Sequence, residues 1–263
     1  MAAKPYFPTA RDLPSSCVQY AVDGLLNLIY PENCYICSAP LVRQRDCGVC
    51  ANCWGKAVAL EIERPWCQSC GLPFYNIDDD SKHICGNCIL QPPPYTGARS
   101  FGYYTGELRR LIQGLKFHKK QNLARPLSSL LTTAFYESWS RKEFDLVLPV
   151  PLHPKRRRKR EYNQAELLAR LLARQLAIPF SKSALCRIRS TSSQIGLTIA
   201  QRRENVRDAF RCKDPGQIAH RRVLLIDDVM TTGATAASAV QALLNGGAWR
   251  VSVLTIARTD SRF

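Results

Sequence analysis

From about residue 98 onward, short apolar runs alternate with stretches in which apolar positions recur every three or four residues. Asp145–Pro151 (DLVLPVP), Arg222–Asp227 and Arg250–Ala257 read as strands buried on both faces, and Ala98–Tyr104 as a further strand. Glu107–Phe117, Leu123–Ser138, Asn163–Leu176 (NQAELLARLLARQL) and Thr235–Leu244 carry helical periodicity. In the third of these, leucines and alanines share one face and arginines the other. The last ends at Gly246-Gly247, where a helix stop is expected. Strands alternating with helices predict an α/β fold, a mostly parallel twisted sheet with helices on both faces.

The first third of the chain follows another pattern. Residues 1–30 contain Pro5, Pro8 and Pro14 and one apolar stretch, Val18–Tyr30, which Asp23 interrupts. That stretch predicts a short packed helix, because it is too short to span a bilayer. Cys34–Cys88 is rich in cysteine and turn residues and poor in long apolar periods. Pro92-Pro93-Pro94 then stiffens the exit toward Tyr95. The predicted organisation is an N-terminal extension over 1–30, a small cysteine module over 31–92 and the α/β domain over 93–263.

A formal net charge of +16 on 263 residues favours polyanionic partners such as nucleic acid or phosphorylated metabolites, or else provides a solubilising surface. Of twelve cysteines, nine fall between Cys34 and Cys88. The N-terminal residues lack the basic flank, apolar core and cleavage site of a secretory signal, so the chain is expected in the cytoplasm without membrane insertion. Its thiols then stay reduced, and clustered cysteines point to metal rather than disulfides.

Four Cys-x-x-Cys knuckles occur in series: Cys34/Cys37, Cys50/Cys53, Cys67/Cys70 and Cys85/Cys88. Each tight turn aims two thiolates at one ion, so two knuckles complete a closed tetrahedral site, and two structural Zn2+ ions are expected. Sequential knuckles form the sites in the simplest pairing; in an interleaved pairing, alternate knuckles share a metal. Cys47 forms another Cys-x-x-Cys with Cys50, and His83 is either a substitute ligand or an exposed loop residue. The zinc folds a module that has little core of its own. A nucleic-acid contact by that module is a second reading, with Tyr35, Trp54, Trp66, Phe74 and Tyr75 serving either as its core or as stacking platforms.

The segment Val223–Thr235 (VLLIDDVMTTGAT) runs from a buried strand into two acids, then a loop bearing hydroxyls and a glycine, then a helix. Unpaired N–H groups and the positive dipole at a helix N-terminus stabilise an anion. Thr231, Thr232 and Thr235 add hydroxyl donors, Gly233 and Ala234 allow close approach of a phosphate, and Asp227 and Asp228 suit the hydroxyls of a ribose. The Gly-Lys-Ser/Thr ending of a P-loop is missing. A merely capped strand–helix turn is the plainer alternative.

This segment resembles the phosphoribosyl pyrophosphate (PRPP) motif of type I phosphoribosyltransferases, and the chain as a whole resembles the ComF family of competence-related proteins. In order, the resemblance is carried by the four knuckles, the proline linker, Leu111–Phe117 (LIQGLKF), Pro149–His153 (PVPLH), Tyr162-Asn163-Gln164, the Gln194–Phe210 block and the loop above. It implies a double zinc ribbon before a phosphoribosyltransferase domain, and it favours Cys50 and Cys53 as the second knuckle with Cys47 extra. It also implies a pyrophosphate-binding loop at Pro149–Pro154, including Leu152 and His153, followed by the basic run Lys155–Arg160. That run alternatively grips a nucleic-acid backbone or is a solvated basic face. Ser192–Leu197 and Gln201–Arg207 are similar to the loop that closes over PRPP in glutamine-dependent amidophosphoribosyltransferases, with Arg203 and Arg207 on one helical face. A surface amphipathic helix is the alternative there, and Lys116, His118, Lys119 and Lys120 are expected at the surface.

The expected chemistry is loss of pyrophosphate from PRPP, with Asp227, Asp228 and Arg203 as catalytic residues and Mg2+ held mainly by pyrophosphate and ribose oxygens. The sequence shows neither a general base nor a glutaminase domain, and the acceptor is not legible. The rival reading is a non-catalytic PRPP or nucleotide sensor that binds single-stranded DNA and works with competence-machinery proteins in DNA uptake.

Overall fold

The computed structural model describes residues 32–41, 48–75, 83–190 and 198–260. The helix expected over Val18–Tyr30, Cys47 and the Ser192–Leu197 segment lie outside the described residues, as does the side chain of Arg203. In chain order the elements are α1 (Ala51–Val58), α2 (Gly86–Leu90), β1 (Gly97–Tyr103), α3 (Gly106–Phe117), α4 (Ala124–Ser138), β2 (Leu146–Pro149), α5 (Pro154–Arg160), α6 (Gln164–Leu176), β3 (Leu185–Arg187), α7 (Ile199–Val206), β4 (Phe210–Cys212), β5 (Arg222–Met230), α8 (Ala234–Asn245) and β6 (Arg250–Arg258). Among the described residues no helix is long and apolar enough to cross a membrane.

Four strands form one parallel sheet in the order β1-β6-β5-β2, and β3 and β4 form a separate antiparallel pair. Alternation along β5 sends Leu224 and Ile226 into a core with α3, α4 and α6, and Val223 and Leu225 into a second core with α8 and the β3–β4 pair. The expected helices on both faces are therefore present. On α3 the buried positions Leu108, Leu111, Ile112 and Leu115 form one stripe, and each fully buried leucine contributes roughly 1.5–3 kcal/mol.

Two features differ from the sequence expectation. β5 does not stop at Asp227 but runs to Met230, because β6 extends alongside it and pairs Asp227 with Thr255, Val229 with Ala257 and Met230 with Arg258. The basic run after Pro154 is the short helix α5, capped at its start by the His153 ring, whose Nδ1 accepts from the Lys155 N–H at 3.3 Å.

The cysteine region protects the sheet edge at β1. The Ile62 N–H donates to the Phe101 carbonyl (2.8 Å) and the Tyr103 N–H to the Leu60 carbonyl (2.9 Å), so the chain between the second and third knuckles pairs antiparallel with β1. An otherwise open row of backbone groups is thereby satisfied. Gly71 approaches the other end of the same strand. Its φ is +69°, and a Cβ there would lie 2.4 Å from the Ala98 carbonyl oxygen, so only glycine fits.

Candidate functional site

The thiols of Cys34, Cys37, Cys50 and Cys53 lie within 4.8 Å of one another, and so do those of Cys67, Cys70, Cys85 and Cys88. The pairing is therefore sequential rather than interleaved. Backbone N–H groups already point at the sulfurs: Cys85 and Cys70 donate to Cys67 Sγ at 3.3 and 3.5 Å, and Cys50 donates to Cys34 Sγ at 3.4 Å. Four converging sulfurs supported by N–H donors fit one tetrahedral ion per group, with no position open for chemistry. His83 stands outside the sulfur group, its ring edge-on to Phe74 with centroids 5.7 Å apart.

Two buried arginines of the sheet reach the second group. Arg99, on β1 and 8% exposed, donates to the carbonyls of Ala98 (2.7 Å) and Gln68 (3.1 Å), and its guanidinium lies over Trp66 and Trp139. Arg258, on β6 and 5% exposed, donates to the Cys70 carbonyl at 2.6 Å. Burial lowers the Arg99 pKa to about 10, so it remains a cation at neutral pH. A tetrathiolate zinc centre is doubly negative, and these two guanidiniums supply the matching positive charge. The ribbon aromatics serve mostly as core. Trp54 and Trp66 are buried, and Tyr75, though 42% exposed, has its hydroxyl bonded to Asp260 (2.9 Å) and to the Tyr103 hydroxyl.

At the carboxyl end of β5, alternation directs Asp227 and Asp228 to opposite faces. Asp228 is 7% exposed and meets Lys116 of α3, whose Nζ lies 3.0 and 2.9 Å from its two carboxylate oxygens. Burial alone would lower the pKa of the Lys116 ammonium, but the Asp228 carboxylate holds it above its ordinary value. Asp227 is partly buried and accepts from the Asp228 N–H at 2.9 Å. Burial, then the neighbouring Asp228 charge, push its carboxyl up to about 7 against the opposing pull of Lys116 and Arg187.

Lys116 is held in place by the Tyr162-Asn163-Gln164 motif. The Tyr162 hydroxyl donates to the Leu115 carbonyl, and Gln164 Nε2 donates to the Lys116 carbonyl at 3.3 Å. Gln164 Oε1 in turn accepts from Arg160 at 3.3 Å. Asn163 caps α6 through the Ala165 N–H (3.1 Å) and donates to the Val150 carbonyl (3.0 Å), which fixes the exit of β2 just before Leu152 and His153. The expectation of a surface Lys116 is corrected: it is a half-buried partner of Asp228.

Beyond Met230 the chain turns through Thr231, Thr232 and Gly233 into α8. Thr232 Oγ1 accepts from the Ala234 N–H at 3.4 Å, and the Thr259 N–H holds the Met230 carbonyl at 3.0 Å. Gly233 has φ +77°, a conformation that favours glycine, and a Cβ there would fit only tightly, 3.2 Å from the Tyr95 hydroxyl. The turn is not occluded. It opens into a cleft of about 1050 Å³ bounded by Thr231–Ala234, by Arg202 and Arg207 of the α7 region, by Pro92–Tyr95 and by Leu72 and Leu90 of the second ribbon.

The expected site residues thus do not all line one cavity. Thr231, Thr232, Gly233, Ala234 and Arg207 line the cleft, whereas Asp227 and Asp228 sit outside it, with Lys116 and Arg160 beside them. Thr235 lies one residue into α8, and Leu152 and His153 lie between β2 and α5. Sequence reasoning missed Lys116 and Arg187 as neighbours of the acids and Tyr95 as neighbour of the turn. The Lys-Phe ending of the LIQGLKF motif was the available signal for the first, and Arg187 on its three-residue strand had none.

Residues 25–89 match the double zinc ribbon domain family, and residues 163–262 match the phosphoribosyl transferase domain family. The chain is 34% identical over 238 residues to the DNA utilization protein YhgH of Escherichia coli O157:H7, covering 88% of this chain and 99% of that protein. It is 34% identical over 217 residues to competence protein F of Haemophilus influenzae, covering 80% and 90%. Competence protein ComFC of Bacillus subtilis is 27% identical over 222 residues, covering 80% and 84%. Among solved structures, glutamine PRPP amidotransferase from B. subtilis aligns with a TM-score of 0.36 at 21% identity, covering 52% of this chain and 26% of that one. With two tetrathiol groups in a double zinc ribbon, a parallel α/β sheet behind them and relatives matched along most of its length, the chain belongs to the ComF family of proteins, which joins a zinc ribbon to a phosphoribosyltransferase-type domain.

Proposed function

We propose that this protein binds PRPP or a close relative at the carboxyl end of β5 and acts as a phosphoribosyltransferase-like protein in the use or uptake of external DNA. The observation that carries the reading is the paired acids on β5 leading into an open, amide-rich turn at the start of α8. The terminal phosphate would dock on Thr231–Thr235, and Asp227 and Asp228 would accept hydrogen bonds from the ribose hydroxyls. Leu152, His153 and the cations of α5 would face the pyrophosphate, and Arg203 and Arg207 would close over it. The link to DNA rests on the names of the relatives, DNA utilization protein and competence protein F.

In the reaction the anomeric C–O bond breaks, pyrophosphate leaves with the bonding electrons, and positive charge develops on the ribose ring. The two carboxylates would hold the ring hydroxyls while that charge forms. Mg2+, carried in with PRPP on its own oxygens, would neutralise the leaving group. The second ribbon forms one wall of the cleft, and we assign to that wall the choice of acceptor. We further propose a cytoplasmic location and domain limits near 31–92 and 93–263.

A second reading, a non-catalytic accessory protein that binds single-stranded DNA, is favoured by the net charge of +16. One assay separates the two. PRPP-dependent release of pyrophosphate, falling about 100-fold or more in Asp227→Asn, supports the transferase. Steeply salt-dependent DNA binding with no pyrophosphate release supports the accessory protein and overturns the transferase.

A further inference from the structure

We propose that Lys116 makes the site selective for sugar phosphates that carry a second anion at the anomeric carbon, so that PRPP is preferred over ribose 5-phosphate. This inference rests on the reading above and adds the reason for its specificity.

In the free protein Asp228 is already satisfied, because both its oxygens lie within 3.0 Å of the Lys116 ammonium. A ribose diol is neutral. When its hydroxyls take over the carboxylate, the ammonium loses its partner while its side chain is only 23% exposed. A half-buried ammonium that loses its nearest counter-ion is left poorly balanced, so a ligand that offers only a diol and a distant phosphate works against this ion pair. A ligand that also brings an anion to Nζ replaces one charge partner with another.

The position of Lys116 agrees with this role. Its carbonyl is tied through Gln164 to Arg160, so its backbone is anchored to the junction of α5 and α6. The cleft at Thr231–Ala234 does not include it. On this reading a terminal phosphate docks at the turn, and the second anion meets Lys116 and Arg160, which do not line the cleft. Tyr162 and Gln164 act as positioning residues, since they hold the carbonyls of Leu115 and Lys116 rather than any ligand.

The test is calorimetric titration of the zinc-loaded full chain with Mg2+ and either PRPP or ribose 5-phosphate. Wild type is expected to prefer PRPP by about tenfold or more. Lys116→Met should reduce that preference below about threefold, chiefly by tightening ribose 5-phosphate binding because no ammonium is left to lose its partner, and Lys116→Arg should restore most of it. Should Lys116→Met fail to fold, Lys116→Gln, which keeps a hydrogen-bond donor for Asp228 but carries no charge, should give the same loss of preference. Wild type that binds PRPP together with Lys116→Met or Lys116→Gln of unchanged preference overturns the role of Lys116 and leaves the PRPP reading standing. Wild type that binds neither ligand overturns the PRPP reading itself.

Discussion

Replacing Cys67 with serine should lower bound zinc from two ions per chain to one and drop the melting temperature by roughly 10 °C or more. Cys67 is fully buried and its sulfur accepts two backbone N–H groups, so the substitution removes a ligand and the centre of a hydrogen-bonded knuckle together. The damage would not stay within the ribbon. Arg99 and Arg258, buried beside this group, would keep their charge and lose the anionic centre they balance. Arg258 is also the β6 partner of Met230, the residue before the turn, so loosening it reaches the cleft. Metal analysis beside a thermal melt checks the expectation. Full zinc content would show that Cys67 is not a required ligand, and loss of one ion with an unchanged melting temperature would show that the second ribbon is independent of the sheet.

Asp227→Asn should stabilise the ligand-free protein at pH 8 and at the same time abolish PRPP binding. The carboxyl of Asp227 sits at about 7 in the folded chain, against an ordinary value near 4, because burial and the adjacent Asp228 disfavour its charge. Between those two values the unfolded chain has released the proton that the folded chain still holds, so wild-type stability declines as pH rises. The decline is absent below pH ~4 and complete somewhat above pH ~7. Asparagine cannot ionise and its Oδ1 can still accept the Asp228 N–H, so the variant escapes the decline. Discounting for partial exposure and for the counter-pull of Lys116 and Arg187, the gain at pH 8 should be about 1–3 kcal/mol, and close to zero at pH 4. Denaturant melts at the two pH values measure it. A variant less stable than wild type at pH 8 would mean that Asp227 is held charged by its neighbours and is not strained by them.

The parts of this molecule that obey a short period could be read from the chain alone. Knuckle spacing pointed to the two four-thiol groups, and apolar periodicity to the strands and helices of the main sheet, since each pattern repeats over a few positions. What was missed depends on distant partners or on a pattern without apolar residues. β5 runs past the acids because β6 supplies pairing as far as Arg258, and two aspartates at the end of an apolar run look like a stop when that neighbour is unknown. Helix α5 has almost no apolar positions to show a period, although His153 before Pro154 is a start signal. Gly114 interrupts a good helix for a reason found in distant partners, since an added Cβ would lie 2.7 Å from the Tyr35 ring of the first ribbon and 2.8 Å from Leu123. Lys116 looked like one of several surface cations, because its carboxylate partner is 112 residues away.

Titration of the wild-type protein and of Asp228→Asn with PRPP and Mg2+, followed by calorimetry, reaches the central claim with the fewest intervening steps. Wild type is expected to bind, and the variant to bind at least about tenfold more weakly, because the amide can neither receive both hydroxyls nor balance Lys116. Absence of binding by wild type at millimolar PRPP, or equal binding by the two proteins, would contradict it.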